Sequence, residues 1–575
     1  MADSSSSSSK SNSLIHHTTT RKGGWHAAIF IIFVEFAERF AYQGLASNLI
    51  TYLTNVLNEP ITTAAKDVNT WVGASALFPL LGGFIADSYV GRFNTILLSS
   101  LIYLVGMIFL TLSVSALRNK ILFFVALYVL AIGDGGHKPC VQTFAADQFD
   151  EDTPEEKDAK SSFFNWWYLG IVAGSTASVF VVIYLQDNVG WGVGLGVLAA
   201  VLALALALFL LGIKRYRRES PSGSPFTRLA QVFVAAARKW RVQDTLSQVN
   251  YCYEEVEEEH HEPHHHLHVQ PKFHTLLHTH QCRFLDKAAI IDDIDAKSKK
   301  RDPWRLCSVT QVEETKLVLR LIPIWLSCLM FTVVQAQVHT YFIKQGATMI
   351  RSIGPNFQIP PASLQGLVGL TILFAVPLYD RVFVPLVRKF TKQPTGITVL
   401  QRIGIGIFLS IITMVVSALV EAKRVGVARD HGLIDDPKAV LPISIWWLLP
   451  QYMITGIADA FTIVGLQELF YDQMPETMRS LGAAAYISII GIGSFLSNAI
   501  IVIVVAITSR TGEKWLGNNL NRAHLDYYYW VVAGLSAISM CIYVWLAKIY
   551  VYKKIDGGQR RDQQGSSHNK YRPGV

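Results

Sequence analysis

The sequence is short of charge. Of its 575 residues only 16% are Asp, Glu, Lys or Arg, while 51% are hydrophobic and the mean hydropathy is +0.31. A soluble domain usually carries about 25% charged residues. The shortage excludes a water-soluble enzyme and a disordered scaffold, and it indicates a chain that lies mostly in lipid. Much of the net charge of +8 sits beside apolar segments, so no nucleic-acid partner is expected.

Three further features are missing. The six cysteines form no CxxC pair, so no disulfide framework is expected. The first 24 residues hold six serines in a row but no short apolar core with a cleavage site, so they predict a disordered tail rather than a signal peptide. Residues 553–575 are polar and basic and are interpreted in the same way. No helix-borne HExxH and no compact catalytic set occurs, so the protein is not expected to be an enzyme.

Apolar stretches long enough to cross a bilayer, which takes about 20 helical residues, occur twelve times. The stretches are 26–53, 69–88, 94–115, 121–145, 162–185, 190–213, 317–343, 363–385, 398–420, 442–471, 479–508 and 526–552. They predict two six-helix bundles, 25–213 and 317–552, joined by a polar linker at 214–316.

The positions of the basic residues indicate how the chain is oriented in the membrane. Four cations between Lys214 and Arg218 follow the sixth stretch directly, and such a flank marks the cytoplasmic side. Both termini are then cytoplasmic by parity. Lys423, Arg424 and Arg429, between the ninth and tenth stretches, break the trend because they fall outside.

A motif after the second stretch supports a major facilitator fold, an all-α membrane architecture of twelve transmembrane helices. Residues 83–92 fit G-x-x-x-D-x-x-x-G-R, in which Gly83 allows close helix approach. Asp87 and Arg92 are expected to pair across the turn and hold two helices in one conformation. A weaker echo, Asp380-Arg381, follows the eighth stretch, as an internal repeat predicts.

Ionisable residues inside the apolar stretches are the strongest functional signal, since each costs roughly 2.5–3.5 kcal/mol at a helix centre. Glu35, Glu38 and Arg39 share one face of the first stretch through their i,i+3 and i,i+4 spacings. With two carboxylates for one guanidinium, one acid is a candidate for binding a proton near neutral pH. The alternative is a static buried salt bridge.

The fourth and tenth stretches carry further charges. Lys138 is expected to pair with Glu35 or Glu38, and protonation of the acid is expected to release the pair. The alternative is that the lysine side chain extends to the membrane–water interface. Asp459 lies near mid-bilayer, where it can meet a cation, a sugar hydroxyl or a proton. Gln335 and His339 lie on the polar face of the seventh stretch, and they and Tyr42 complete the substrate-binding candidates. Gln335 and His339 can equally bond to neighbouring helices.

These motifs together resemble the proton-dependent oligopeptide transporters and, within them, the plant nitrate-and-peptide transporter family. The resemblance covers residues 25–552 and rests on Glu35-Phe-Ala-Glu38-Arg39, Gly133-Asp-Gly-Gly136-His-Lys138-Pro139, Phe163-Phe164-Asn165-Trp166-Trp167-Tyr168 and Pro303-Trp-Arg-Leu-Cys307. It implies proton symport by alternating access through a central cavity. It assigns proton coupling to Glu35, Glu38, Arg39 and Lys138, with no cofactor besides the proton.

Departures from the family pattern bear on the substrate. Peptide carriers of the family place an Arg where Ala46 stands, an Asn at Val172 and a Glu at Asp459, while nitrate-type members can place a His at Gln335. Di- and tripeptides and nitrate are therefore the alternatives. The favoured substrates are small organic solutes such as specialised metabolites, glycosides or hormones.

The remaining expectations concern regulation and location. Nine histidines between His260 and His280 raise the possibility of a zinc-regulated protein, against a solvated polar insertion. Thr95, three residues after Arg92, is a candidate site for a kinase acting at the cytoplasmic face. A non-transporting substrate sensor is a further alternative. The expected transport unit is a monomer in the lipid bilayer, in either the plasma membrane or the vacuolar membrane.

Overall fold

The fold comes from a computed structural model. It describes residues 23–149, 154–218, 224–241, 279, 281–297, 302–355, 357–391, 397–475, 478–510 and 514–552. Residues 1–22 of the predicted N-terminal tail, the C-terminal tail and the histidine cluster lie outside the described residues.

Within those ranges, ten helices are long and apolar enough to cross a bilayer, and a pair bent by 47° makes an eleventh span. The helix Trp25–Ala46 is also long enough, but Glu35, Glu38 and Arg39 lower its apolar character. We number it span 1. Spans 2 to 12 are, in order, Ile61–Ile85, Arg92–Ser115, Lys120–Ala146, Pro154–Asn188, Trp191–Leu211, the bent pair Val309–Ser327 with Leu329–Ala347, Gly366–Leu378, Val399–Asp430, Leu449–Gln473, Arg479–Arg510 and Leu525–Ile549. The predicted all-α membrane fold is confirmed.

Several boundaries differ from the prediction by more than four residues. Span 1 ends at Ala46 rather than 53, span 2 begins at Ile61 rather than 69, span 5 begins at Pro154 rather than 162, and span 9 ends at Asp430 rather than 420. Span 7 begins at Val309 rather than at 317, because Ser308 caps a helix whose first residues extend into the cytoplasm. Residues Leu441–Ser444 form a strand in which buried and exposed side chains alternate, although the sequence predicts a helical stretch from 442 onward. This strand pairs in parallel with Met349–Ile350, while Ser352–Ile353 and Phe357–Gln358 form a small antiparallel hairpin. The parallel strand pair and the hairpin both lie at the outer end of the molecule.

Spans 2 and 4 approach each other closely because glycines face each other. A Cβ atom at Gly82 would collide with the carbonyl of Gly135, so the helices pack backbone to backbone. The prediction named the neighbouring Gly83, where a Cβ would meet Pro139 at an ordinary 3.5 Å. The close contact therefore depends on Gly82, and that prediction was one residue off.

The internal repeat is visible in the backbone. Span 2 ends in a π-helical turn at Ala86–Val90, and span 8 ends in another at Tyr379–Phe383. The two turns occupy corresponding positions in the two bundles, where the sequence has its strong motif and its weaker echo.

Part of the cytoplasmic linker is folded. The helix Pro225–Arg238, the 3₁₀ turn Arg283–Ala289 and the start of span 7 share a small core that includes Val232, Leu285 and Cys307. The ring of Phe226 packs against Phe84 at the end of span 2, with centroids 5.3 Å apart. The predicted linker thus contains a helix that contacts both bundles.

The outer end of span 9 explains part of the exception in the charge pattern. Arg424 is fully buried rather than exposed in a loop, and its guanidinium lies 2.6 Å from Glu421, which is also fully buried. Arg424 donates further hydrogen bonds to the Asn521 side chain at 2.7 Å and to the Leu520 carbonyl at 2.7 Å. This cation is structural, so it carries no information about membrane orientation.

Replacing Arg424 by Met should lower the stability of the purified protein substantially. The change leaves the Glu421 carboxylate buried and unpaired, which costs about 3–5 kcal/mol. The matched control is Arg522→Met, whose ion pair with Asp435 is 75% and 84% exposed and should contribute at most about 1 kcal/mol. Thermal unfolding in detergent measures both, and equal midpoints would contradict the structural role of Arg424.

Candidate functional site

Span 1 carries a guanidinium held between two carboxylates. Arg39 Nε lies 2.8 Å from Glu35 Oε1 and 3.1 Å from Glu38 Oε2. Both acids are buried, at 2% and 1% exposure. The i,i+3 and i,i+4 spacings bring the three side chains together, as the sequence predicts. Two buried carboxylates thus share one cation.

Span 4 supplies a second ion pair. Lys138 Nζ lies 2.6 Å from Asp134 Oδ2 on the same helix, and it stands 3.7 Å from the centre of the Tyr42 ring. The expected pairing with Glu35 or Glu38 is therefore not the one found here, because Asp134 stands four residues before Lys138 on the same helix face. Tyr42 in turn stacks on Trp71 at 5.4 Å. Tyr42, predicted to contact substrate, here positions the lysine through a cation–π contact.

His137 completes the cluster of spans 1 and 4. Its imidazole and the carboxylates of Glu35 and Glu38 place ligand-type atoms within 4.8 Å of one another, and all three side chains are buried. Such a set can hold a cation. The adjacent Arg39 and Lys138 oppose a divalent metal by repulsion, however, so a singly charged species suits the cluster better.

A central cavity of about 200 Å³ lies between the bundles. Its polar lining consists of Gln43, Ser175, Thr176, Gln335, His339, Gln365 and Asp459. The Gln335 amide donates a hydrogen bond to the Asp459 carboxylate, which joins spans 7 and 10. Three of the predicted substrate-binding residues, Gln335, His339 and Asp459, thus line one cavity. No lysine or arginine lines it in the described part of the chain.

The cavity is closed toward the outside. The Gln365 amide donates to the Ser47 carbonyl at 2.8 Å, and the His339 Nδ1 atom lies 2.6 Å from the other end of the same amide. Another bond between the bundles runs from the Asn69 amide to the Ser497 hydroxyl at 3.2 Å. These bonds join the two bundles on the outer half of the molecule. On the cytoplasmic half, a second cavity of about 310 Å³ lies between Gln142 of span 4 and residues of spans 10 and 11.

The turn after span 2 forms a three-membered ionic cluster. Arg92 Nε lies 3.1 Å from Asp87 Oδ1, and Arg92 Nη1 lies 2.5 Å from Asp147 Oδ2 at the end of span 4. The expected partners are thus in contact, and their part in gating stays a prediction. Thr95 is only 7% exposed and donates to the Gly91 carbonyl, so the expected kinase site is not accessible in this conformation.

Comparison with known proteins agrees with this architecture. The profile of the POT family (PTR2) matches residues 93–517. Protein NRT1/PTR FAMILY 5.4 of Arabidopsis thaliana is 57% identical over 538 residues, which cover 93% of this chain and 96% of that protein. Protein NRT1/PTR FAMILY 5.10 of the same plant is 49% identical over 562 residues, covering 93% and 94%. The chain belongs to the POT family.

Solved POT structures share the fold. The in meso crystal structure of the POT family transporter PepTSo superposes with a TM-score of 0.66 at 21% identity, covering 91% of this chain and 98% of that one. An auto-inhibited POT family peptide transporter gives 0.66 at 20% identity, covering 93% and 98%. As a POT protein, the chain is an integral, multi-pass membrane protein.

Five residues of this POT chain were missed or misassigned by sequence reasoning. Asp134 and Lys138 are four residues apart, and this spacing alone indicates the pair. His137 stands one position before Lys138 and joins span 1 only once the helices pack. Asp147 and Gln365 become partners of Arg92 and His339 across helices, which no local pattern could have shown.

The pair of Asp134 and Lys138 predicts a strong energetic coupling. Asp134→Asn and Lys138→Gln should each lower the thermal stability of the purified protein more than the double variant, because each single change leaves a buried charge unpaired. The matched comparison is Glu38→Gln with Lys138→Gln, for which the structure shows no ion pair and a smaller coupling is expected. Thermal midpoints in one detergent give both double-mutant cycles. A larger coupling energy for Glu38 with Lys138 than for Asp134 with Lys138 would contradict the observed pair and support the pairing expected from the sequence.

Proposed function

We propose that the protein is a proton-coupled symporter that moves small organic solutes by alternating access. The observation that carries the proposal is the pair of buried carboxylates that share Arg39. With Asp134 and Lys138 added, the cluster holds three acids and two cations, so one negative charge has no matching cation within it. A bound proton neutralises that charge and needs less space than any metal cation would.

The charge placement suggests how a proton and a movement are linked. Protonation of Glu35 or Glu38 removes one of the two acids that hold Arg39, so the guanidinium becomes available to another partner. Lys138, four residues from Asp134 and above Tyr42, is the neighbouring cation that responds to the changed field. Each charge moved across the membrane adds roughly 2.3 kcal/mol per 100 mV, so an inside-negative potential assists the symport of a neutral solute.

The lining of the central cavity favours a neutral or cationic solute with hydroxyl groups. The side chains of Gln43, Ser175 and Thr176 face those of Gln335 and Asp459, and these groups accept and donate hydrogen bonds. A carboxylate or nitrate finds no lysine or arginine among the described lining residues. Ala46, at the position of the peptide-binding arginine, is buried and apolar. Specialised metabolites, glycosides and hormones therefore fit better than nitrate or peptides.

Glu38→Gln and Lys138→Ala should abolish the accumulation driven by an acidic exterior. Each change removes a charge from the coupling cluster while the cavity lining is kept. The assay compares the uptake of an identified substrate at an acidic external pH of about 5.5 and at about 7.5. The amount of protein at the cell surface is quantified separately. Asp435→Asn, which alters an exposed ion pair at the outer end, is the matched control and should behave as the unaltered protein. Normal pH-dependent accumulation by both cluster variants would remove the coupling scheme.

The substrate class can be tested by a broad uptake screen in oocytes at acidic pH. We expect neutral, hydroxyl-bearing solutes to accumulate and Asp459→Ala with Gln335→Ala to reduce their uptake, because the two side chains form one bonded pair in the cavity. Accumulation of nitrate or of di- and tripeptides alone would contradict the proposed class. Substrate binding without an electrogenic current would indicate a sensor instead of a carrier.

Location and assembly are further parts of the proposal. We place the carrier in the plasma membrane or the vacuolar membrane as a monomeric transport unit, because both bundles that enclose the cavity belong to one chain. Transport would need the proton and the substrate as partners and no other cofactor.

A further inference from the structure

A further cavity, larger than both the central cavity and the cytoplasmic one, opens at the outer end of the molecule. Its volume is about 570 Å³, and it lies beyond the hydrogen bonds that close the central cavity. Thr51, Asn55 and Asp187 line it from the first bundle. Lys344 and Arg351 line it from the second. The outer cavity therefore spans the interface that must separate when the carrier opens to the outside.

Lys344 is the unusual residue of the outer cavity. It is only 7% exposed, and its ammonium group donates to the Asn55 side chain oxygen at 3.2 Å across the two bundles. No carboxylate of the described residues lies within 4.0 Å of it. A buried ammonium usually has an acidic partner, since a neutral amide returns little of the lost hydration energy.

The surroundings of Lys344 add positive charge. Arg351 and Lys438 also line the cavity, and neither forms an ion pair with a described carboxylate. The acid among the lining residues is Asp187, whose side chain accepts a hydrogen bond from Asn48 at 3.0 Å. Three cations and one carboxylate leave a surplus of two positive charges in a polar cavity. Such a surplus attracts an anion.

We propose that the outer cavity binds a small multivalent anion, a di- or tricarboxylate or a phosphate, with the Lys344 ammonium as its central contact. The anion supplies the counter-charge that the protein does not provide. Arg351 and Lys438 meet its remaining oxygens, and Asn188 and Asn518 offer amide donors from the two bundles. This site is separate from the central cavity and does not depend on the identity of the transported solute.

Occupancy of the outer cavity has a consequence for the transport cycle. A bound anion contacts side chains of both bundles, so it stabilises the outward-closed conformation over the outward-open one. A ligand shifts such an equilibrium only by its differential affinity for the two states. The contacts from the first bundle are lost on opening, which provides that difference. External anions of this class should therefore slow the return to the outward-open state.

The first experiment measures binding of citrate to the purified full-length protein by isothermal titration, with inorganic phosphate as a second probe. We expect saturable citrate binding that becomes at least about tenfold weaker in Lys344→Gln, because a charge-assisted hydrogen bond is lost while the amide can still contact Asn55. The matched control is Lys423→Gln. Lys423 lies near the outer end of span 9, and its Nζ atom is 3.6 Å from the centre of the Trp447 ring. It does not line the outer cavity, so the loss of its charge should leave the citrate affinity unchanged.

A second variant keeps the proposal testable if Lys344→Gln fails to fold. Arg351→Gln alters a less buried cation of the same cavity and should also weaken citrate binding, by a smaller factor than Lys344→Gln. The proposal is overturned if citrate and phosphate fail to bind in a saturable manner. It is also overturned if Lys344→Gln and Arg351→Gln, both folded by thermal unfolding, bind citrate as tightly as Lys423→Gln does.

A distance measurement tests the conformational consequence. Spin labels at Leu117 and Val440, exposed residues near the outer ends of the two bundles, report outer opening in a background whose native cysteines are replaced by serine. Citrate should shift the distance distribution toward the shorter, closed population, and Lys344→Gln should remove this shift. An unchanged distribution at saturating citrate would overturn the stabilisation of the closed state.

Discussion

The balance of charge around Arg39 is the constraint on which the rest of this structure depends. A guanidinium in lipid needs acidic partners, and two buried acids supply them at 2.8 and 3.1 Å. Two acids also exceed what one cation needs, and the proposed proton coupling rests on this excess. The surrounding helices must hold the cluster away from water and still allow its partners to change.

Close packing of spans 2 and 4 serves that requirement. The glycines at 82 and 135 let the two backbones touch, which brings Asp134 and Lys138 of span 4 near Tyr42 of span 1. The lysine is then held by a carboxylate on its own helix and an aromatic face on another. These are the two contacts that the lysine would have to break if it changed partner as the bundles move.

The sequence was sufficient for the fold and for most members of the site, but not for their pairing. Twelve apolar stretches and charges in lipid predict spans and candidate residues, since both signals are local. The i,i+4 spacing of Asp134 and Lys138 indicates their pairing locally, whereas the predicted pairing of Lys138 with Glu35 or Glu38 depends on how two helices pack. Gln365 and Asp147 lie in unremarkable contexts and meet His339 and Arg92 only through tertiary packing. The folded linker was missed because its core is small and is shared with the start of span 7.

The central and the outer cavity differ in charge in a way that suits their positions. The described lining of the central cavity has Asp459 and no lysine or arginine, so it suits a solute that brings hydroxyl groups or a positive charge. The outer cavity has Lys344, Arg351 and Lys438 against Asp187, so it suits an anion. An anion held outside the closed gate does not compete for the central cavity. It acts instead on the equilibrium between the two conformations, which makes the rate of reorientation, rather than substrate affinity, the quantity it controls.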